Sequence, residues 1–215
     1  MRVLVYDAAT GDLLHSLKNH KDAVYAVSYS RDNRRFASGG ADSTIVVWSA
    51  KPEGLLRYSH TDSIQALEYN PVTHQLASAT ASDFGLWSPE AKHVAKHNVP
   101  AKVCCMAWSP DGQTLALGLF TGTVSLRDRQ GTELVAIERS EPIWSLSYSP
   151  APGSTAGGDD SLAVGCWDGT LSFHSSTGQQ IGKVCFALPF ARPLFSFLMA
   201  GIALFSSMSS KADQI

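Results

Sequence analysis

His20, Ser38 and Asp42 are the residue types of a nucleophilic hydrolase triad, and they lie within one short stretch of the chain. In such a triad a carboxylate orients an imidazole, which takes the proton of a serine hydroxyl that attacks a carbonyl carbon. The serine must be exposed beside hydrogen-bond donors that stabilise the oxyanion. Ser38 instead follows Phe36 and Ala37 in an apolar run, without the Gly-x-Ser-x-Gly turn that exposes many nucleophiles. The sequence therefore favours a buried structural role for these residues.

A repeat explains the positions of these residues. An aromatic residue followed by a polar turn recurs every 39 or 40 residues, at Tyr29, Tyr69, Trp108 and Tyr148. A short apolar run and a longer strand-like run recur with the same period. The short runs are residues 36–39, 76–79, 115–118 and 162–165, and the longer runs are residues 44–48, 83–87, 123–127 and 170–174. A period of about 40 residues is typical of a β-propeller blade.

The three registers and a weaker fourth strand predict an all-β propeller with four antiparallel strands in each blade. The expected fourth strands are residues 55–58, 93–96, 133–137 and 179–182. We expect half a blade at residues 1–18 and full blades at about 19–58, 59–97, 98–138 and 139–183, within a propeller domain of residues 1–183. This organisation predicts an incomplete arc of about four and a half blades, with a Gly-, Ala- and Ser-rich insertion at residues 151–160.

The repeat at residues 19–58 resembles the WD repeat. His20 precedes its first strand, Ser38 lies in its second, Asp42 follows in a turn, and Trp48 ends its third strand. In WD repeats such a set forms a buried chain of hydrogen bonds from carboxylate to imidazole to hydroxyl to indole. The resemblance implies that these four residues form a structural tetrad that fixes the geometry of the blade.

The second repeat keeps three members of this set. His60, Ser78 and Trp87 match the histidine, serine and tryptophan of the first repeat. Ala81 stands at the position of the aspartate, in a turn that is rewritten. We expect Asp83 to replace the missing carboxylate only if that turn is rearranged.

The third and fourth repeats keep less of the set. In the third repeat we assign His97 to the histidine position, while Thr121 and Arg127 replace the aspartate and the tryptophan. In the fourth repeat Asp168 remains and His174 replaces the tryptophan. We therefore expect packing, and not a polar network, to define these two blades.

A closer resemblance is carried by residues 20–25, 35–39 and 82–90, the last of which read Ser-Asp-Phe-Gly-Leu-Trp-Ser-Pro-Glu. These segments resemble the amino-terminal propeller of a WD-repeat family in the intraflagellar transport complex A, and the likeness covers residues 3–183. The resemblance implies a non-enzymatic scaffold in retrograde ciliary transport and cilium assembly. It also implies a cytoplasmic location at the cilium and basal body, with other complex A subunits and ciliary cargo as partners and with no cofactor.

Two other functions stay open. The chain could be a WD-repeat adaptor of another multiprotein complex. It could also be a hydrolase that uses His20, Ser38 and Asp42, although the repeat predicts the position of each of these residues without any catalytic role.

The amino-acid composition argues against two classes of ligand, nucleic acids and metal ions. Seventeen Lys and Arg against nineteen Asp and Glu give a formal net charge of −2, so we expect no nucleic-acid partner. The four cysteines, at 104, 105, 166 and 185, lack the spacing of a zinc site or a disulfide framework, and we expect no metal.

Residues 184–215 form an apolar tail that does not continue the repeat, and we expect it to be unrelated to the propeller family. Its uninterrupted apolar run, residues 194–205, is shorter than the roughly 20 residues that a membrane-spanning helix needs. We therefore expect no membrane association except through this run.

Overall fold

The computed structural model describes residues 1–49, 54–88, 94–149 and 160–185. These residues form 18 β-strands and no helix, so the all-β prediction is confirmed. No stretch of helix that could cross a membrane occurs among them. The strands make one two-stranded sheet and four four-stranded antiparallel sheets, which we call the half blade and blades 1 to 4.

The strands of each sheet follow one another along the chain. The half blade is β1 (Val3–Tyr6) and β2 (Leu13–Leu17). Blade 1 is β3 (Val24–Tyr29), β4 (Arg35–Gly40), β5 (Thr44–Ser49) and β6 (Gly54–Ser59). Blade 2 is β7 (Ala66–Tyr69), β8 (Leu76–Ala79), β9 (Asp83–Trp87) and β10 (Ala95–Asn98). Blade 3 is β11 (Val103–Trp108), β12 (Thr114–Leu119), β13 (Thr123–Asp128) and β14 (Glu133–Glu138). Blade 4 is β15 (Ile143–Ser149), β16 (Ser161–Cys166), β17 (Thr170–His174) and β18 (Gln180–Cys185).

Two fourth strands differ from the sequence prediction by two residues or more at one end. Strand β10 begins at Ala95, two residues later than expected, because its register pairs Ala95 with Leu86. Strand β18 extends beyond residue 183, and Cys185 pairs with Thr170. The predicted insertion lies outside the described residues except for Asp160, and so does the tail beyond Cys185.

The described residues form two compact units, one that ends at residue 100 and one that begins at residue 101. In the first unit, blade 1 packs one face against the half blade and the other against blade 2. The first interface contains Val3, Leu17, Phe36, Val46 and Trp48. The second contains Ala37, Ile45, Val47, Ile64, Leu67, Tyr69, Leu76 and Trp87. Because β5 is buried on both faces, its side chains form a continuous apolar run instead of an alternating one.

The second unit is built in the same way around blades 3 and 4. Its core consists of Ala116, Val124, Leu126, Ile137, Ile143, Leu162, Val164 and Cys166. Strand β16 is buried along most of its length and β13 along half of it, whereas β18 is largely exposed at the outer edge of blade 4. The inner strands of each blade therefore supply the core, and the fourth strand covers it.

A glycine at the end of the second strand lets neighbouring blades approach each other. A Cβ at Gly39 would lie 2.8 Å from Ile64 Cγ2, and a Cβ at Gly118 would lie 2.7 Å from Ile143 Cγ2. Ile64 and Ile143 are fully buried where the next blade begins. The same contact thus recurs in both units.

We expect Gly39→Ala and Gly118→Ala each to lower the free energy of unfolding by about 1–3 kcal/mol, because the added methyl overpacks this contact. Urea denaturation monitored by tryptophan fluorescence measures the change. Gly182→Ala is the matched control, since a Cβ there meets Phe173 at an ordinary 3.5 Å. Equal stability of Gly39→Ala and Gly182→Ala would show that the close approach does not limit packing.

Candidate functional site

Blade 1 brings His20, Ser38, Asp42 and Trp48 together in one chain of contacts. His20 Nδ1 lies 3.0 Å from Asp42 Oδ2, and His20 Nε2 lies 2.7 Å from Ser38 Oγ. Trp48 Nε1 donates to Ser38 Oγ at 2.9 Å. With Nδ1 protonated toward the carboxylate, Nε2 accepts the hydroxyl proton of Ser38. This chain of contacts links the loop before β3 to strands β4 and β5.

Asp42 anchors the end of this chain. Burial opposes its ionisation, but hydrogen bonds from the Lys21 backbone N–H and from His20, with a further one from Thr44, hold the pKa of its carboxyl below the usual value. The Lys21 bond is 2.9 Å long and the Thr44 bond 3.2 Å. The carboxylate therefore organises two backbone segments as well as the imidazole.

The geometry does not suit hydrolysis. The Ser38 side chain has no exposed surface, and its oxygen donates to His20 while it accepts from Trp48. A substrate carbonyl has no path to this oxygen, and the indole occupies the place where an attacking lone pair would point. The arrangement can hold strands in register, but it cannot act as the exposed nucleophile of a triad.

Blade 2 contains the same chain with its carboxylate moved. His60 Nε2 lies 2.8 Å from Ser78 Oγ, and Trp87 Nε1 donates to the same oxygen at 2.7 Å. Asp83 Oδ1 lies 3.3 Å from His60 Nδ1, in a contact without the direction of a hydrogen bond. Thr80 donates its hydroxyl to Asp83 and fixes the orientation of this carboxylate.

A shorter turn explains why the carboxylate of blade 2 lies at a different position from that of blade 1. Gly39 pairs with Ile45 across the turn of blade 1, whereas Ala79 pairs with Phe84, so the turn of blade 2 is one residue shorter. The carboxylate consequently sits at the first residue of β9. Gly85 leaves space for the side chains of this hydrogen-bonded group, since a Cβ there would lie 3.0 Å from Trp87 Nε1 and 3.2 Å from His60 Nε2. The rearranged turn that Asp83 needed is thus present.

His97 does not lie at the position predicted for it. It belongs to β10, pairs with Phe84 in the ladder and stacks on the Phe84 ring at a centroid distance of 5.0 Å. The backbone position of His60, whose N–H bonds to Ser43 O, corresponds to Val99, whose N–H bonds to Ser82 O. The histidine position therefore holds a buried valine, two residues after His97.

Blade 3 replaces the tetrad with a different polar group. Arg127 Nε donates to Ser125 Oγ at 2.7 Å, and Arg127 Nη2 pairs with Glu133 Oε2 at 2.7 Å. Ser125 also donates to Glu133 at 2.5 Å. Leu117 occupies the position of Ser38, opposite Ser125 in the ladder. Contrary to the sequence prediction, a polar network is present in this blade.

In blade 4 the polar side chains at the tetrad positions form two separate groups of contacts. Arg139 stands at the histidine position, and its Nη2 donates to Thr170 Oγ1 at 2.6 Å and lies 3.7 Å from Asp168 Oδ2. At the tryptophan position, His174 Nε2 lies 3.0 Å from Ser172 Oγ. Burial lowers the pKa of His174, while a contact from its Nδ1 to Gly178 O opposes the shift.

One rule unites the four blades. The residue at the tryptophan position always contacts a serine hydroxyl, and this serine occupies one member of an equivalent cross-strand pair. The pairs are Ser38–Val46, Ser78–Gly85, Leu117–Ser125 and Val164–Ser172. Sequence reasoning missed Ser125, Ser172, Glu133 and Arg139. Counting back nine residues from the aromatic landmarks would have located Arg139, because the same count gives His20 and His60.

No cluster of three or more His, Cys, Asp or Glu side chains suited to a metal ion occurs in the described part of the chain. The four cysteines are free thiols. Burial raises the pKa of Cys104 and of Cys166, which disfavours the thiolate that metal binding needs.

A comparison with protein families matches residues 1–213 to the family described as IFT122 first beta-propeller. The chain belongs to this family. The propeller prediction is thereby confirmed for the sheets described above. The matched range includes nearly all of the C-terminal segment that the sequence pattern had set apart as unrelated.

Curated relatives agree with the family match. The chain is 53% identical over 186 residues to the intraflagellar transport protein 122 homologs of Danio rerio and Xenopus tropicalis. It is equally similar to the Mus musculus homolog over the same length. These alignments cover 85% of the chain but only 15% or 16% of each relative. The chain thus spans about one seventh of the length of these relatives.

We expect Ser38→Ala to lower the free energy of unfolding by about 2–4 kcal/mol, because buried His20 Nε2 and Trp48 Nε1 both lose their partner. Urea denaturation measures the change. Ser63→Ala is the control, since that hydroxyl makes only a 3.4 Å contact with Ala41 O. A Ser38→Ala chain as stable as the control would remove the energetic role assigned to the tetrad.

Stability should fall as the pH is lowered from about 7.5 to 5.5. Burial holds the pKa of His60 below its usual 6.5, although Asp83 opposes this shift, so the unfolded chain binds a proton before the folded chain does. This contribution is complete above pH 6.5 and is lost as the pH falls toward the lower folded pKa. His60→Gln should reduce the difference in unfolding free energy between the two pH values. An unchanged difference would assign the effect to other groups, such as His174.

Proposed function

We propose that the chain is a non-enzymatic protein-interaction scaffold of intraflagellar transport complex A, acting in retrograde ciliary transport and cilium assembly. The observation that carries this proposal is the 53% identity to intraflagellar transport protein 122 homologs over 85% of the chain. Its partners would be other subunits of the complex and ciliary cargo, and its location would be the cilium and basal body.

The chemistry of the blades supports a scaffold. The His, Ser and Asp side chains that could form a nucleophilic site are engaged within blade 1, with Ser38 wholly buried. The polar networks in blades 2 to 4 likewise connect strands of the same sheet. Large apolar side chains remain exposed on the first strands, among them Tyr25, Val27 and Trp144. Exposed apolar side chains of this kind suit contacts with other proteins.

A WD-repeat adaptor of another complex is the second candidate. The chain is 31% identical over 121 residues to the small ribosomal subunit protein RACK1z of Oryza sativa, a protein of a different assembly. This likeness covers 52% of the chain, against 85% for the intraflagellar transport relatives. The comparison favours the ciliary assignment.

Proximity labelling in ciliated cells tests the proposal. We expect the chain, fused to a biotin ligase, to label complex A subunits and to concentrate at basal bodies. The matched control is the Gly118→Ala chain, which should label these proteins less because its second unit is destabilised. Labelling of ribosomal or other proteins without complex A subunits would favour the adaptor alternative and contradict the proposal.

A further inference from the structure

Two exposed tryptophans lie against each other in blade 4. Trp144 is 46% exposed and Trp167 is 38% exposed. Their ring centroids are 4.9 Å apart, and their planes meet at 80° in an edge-to-face arrangement. Tryptophan is the largest apolar side chain, and exposed apolar surface of this kind suits contacts with other proteins.

The residues that precede the two tryptophans pack into the core of the blade. Ile143 precedes Trp144 and is fully buried, and Cys166 precedes Trp167 and is 3% exposed. The ladder pairs Ile143 with Cys166 and then Ser145 with Gly165, so Trp144 is the extra residue of a β-bulge. The bulge turns Trp144 away from the core and toward the turn that begins with Trp167.

Three hydrogen bonds hold the two segments together. The backbone N–H of Trp167 donates to the backbone carbonyl of Pro142 at 2.9 Å, and the Cys166 thiol donates to the Glu141 carbonyl at 3.2 Å. Ser140 Oγ donates to Asp168 Oδ2 at 3.1 Å. The aromatic pair is therefore carried by two backbone segments that are fixed relative to each other, which reduces the ordering cost of binding.

The loop beside the pair presents negative charge. Residues 138–144 contain one cation, Arg139, whose side chain is 8% exposed and is turned inward toward Thr170 and Asp168. Glu141 is exposed, and its carboxylate makes no hydrogen bond or ion pair with any described residue. Glu138 is exposed as well, and among the described residues its carboxylate accepts only from the Thr123 hydroxyl, at 3.1 Å. The outward charge of this loop is thus acidic.

Blades 1 and 3 lack this combination, and in blade 2 strands β7 and β8 pair without a bulge. The equivalent bulge residues are Tyr25 in blade 1 and Cys104 in blade 3, and the residues that begin the following turns are Ala41 and Phe120. Neither blade has an aromatic residue at both positions. The feature therefore belongs to blade 4 and is not a consequence of the repeat.

We propose that Trp144, Trp167 and Glu141 form a binding site for an arginine side chain in a basic segment of a partner protein. A guanidinium is planar and weakly hydrated, so it stacks on an indole face while it keeps its hydrogen bonds to a carboxylate. Tryptophan and arginine are also the residues that most often dominate the binding energy of protein interfaces. The inference rests on the geometry of blade 4 and does not depend on the proposed function.

The test uses the whole chain labelled with 5-fluorotryptophan and a Gly/Ser peptide that contains several arginines. The ¹⁹F NMR spectrum has one resonance for each of the five tryptophans. We expect the peptide to shift the resonances of Trp144 and Trp167 and to leave those of Trp48, Trp87 and Trp108 unchanged. A peptide with glutamine in place of arginine should cause no shift.

Anisotropy measurements with the fluorescein-labelled arginine peptide quantify the site. Trp144→Leu and Glu141→Gln should each weaken binding by about fivefold or more. Tyr25→Leu, at the equivalent bulge of blade 1, should change affinity by less than about twofold. Thermal denaturation verifies that each variant is folded, and Trp144→Phe, which keeps an aromatic face, should retain part of the affinity. Equal binding of the glutamine peptide, stationary Trp144 and Trp167 resonances, or unchanged affinity of Trp144→Leu and Glu141→Gln would each overturn the proposal.

Discussion

The burial of both faces of an inner sheet is the constraint on which this structure depends. Blade 1 has the half blade on one side and blade 2 on the other, so every residue from Thr44 to Trp48 is buried. Side chains pointing in either direction must be apolar or fully hydrogen-bonded, because an unpaired buried polar group costs about 1–3 kcal/mol. The tetrad satisfies this condition, since its indole N–H, hydroxyl, imidazole and carboxylate each have a partner within the blade.

The same condition explains how the polar networks vary between blades. Trp48 and Trp87 donate to a serine on the second strand, whereas Arg127 and His174 contact a serine on the third strand. In each case the serine lies in an equivalent cross-strand pair, and the other member of that pair has no polar side chain. The hydroxyl can therefore change strands and still contact the residue at the tryptophan position. In the sequence, blades 3 and 4 have lost members of the tetrad. In the structure, a serine on the third strand takes the place of the missing serine on the second strand.

Sequence reasoning located most of the strands because the period of the repeat is set by packing. The core residues of every blade fall in the same registers, and the four tetrad positions of blade 1 follow from them. Sequence reasoning failed where a contact made by one strand in one blade is made by a different strand in another blade. His97 was placed by residue type, although its backbone position belongs to β10, and the true equivalent is the apolar Val99. Glu133 and Ser125 carry no signal in the repeat, since their pairing with Arg127 depends on the register of β13 and β14.

Positions that the core leaves unused are those at which the blades differ most. The residue extruded by the bulge of the first strand is Tyr25 in blade 1, Cys104 in blade 3 and Trp144 in blade 4. Their neighbours Val24, Val103 and Ile143 remain apolar, because each packs into its blade. A substitution at the bulge changes the surface without changing a contact on which the fold depends. The repeat thus separates the residues that stabilise the fold from the residues by which the surfaces of the blades differ.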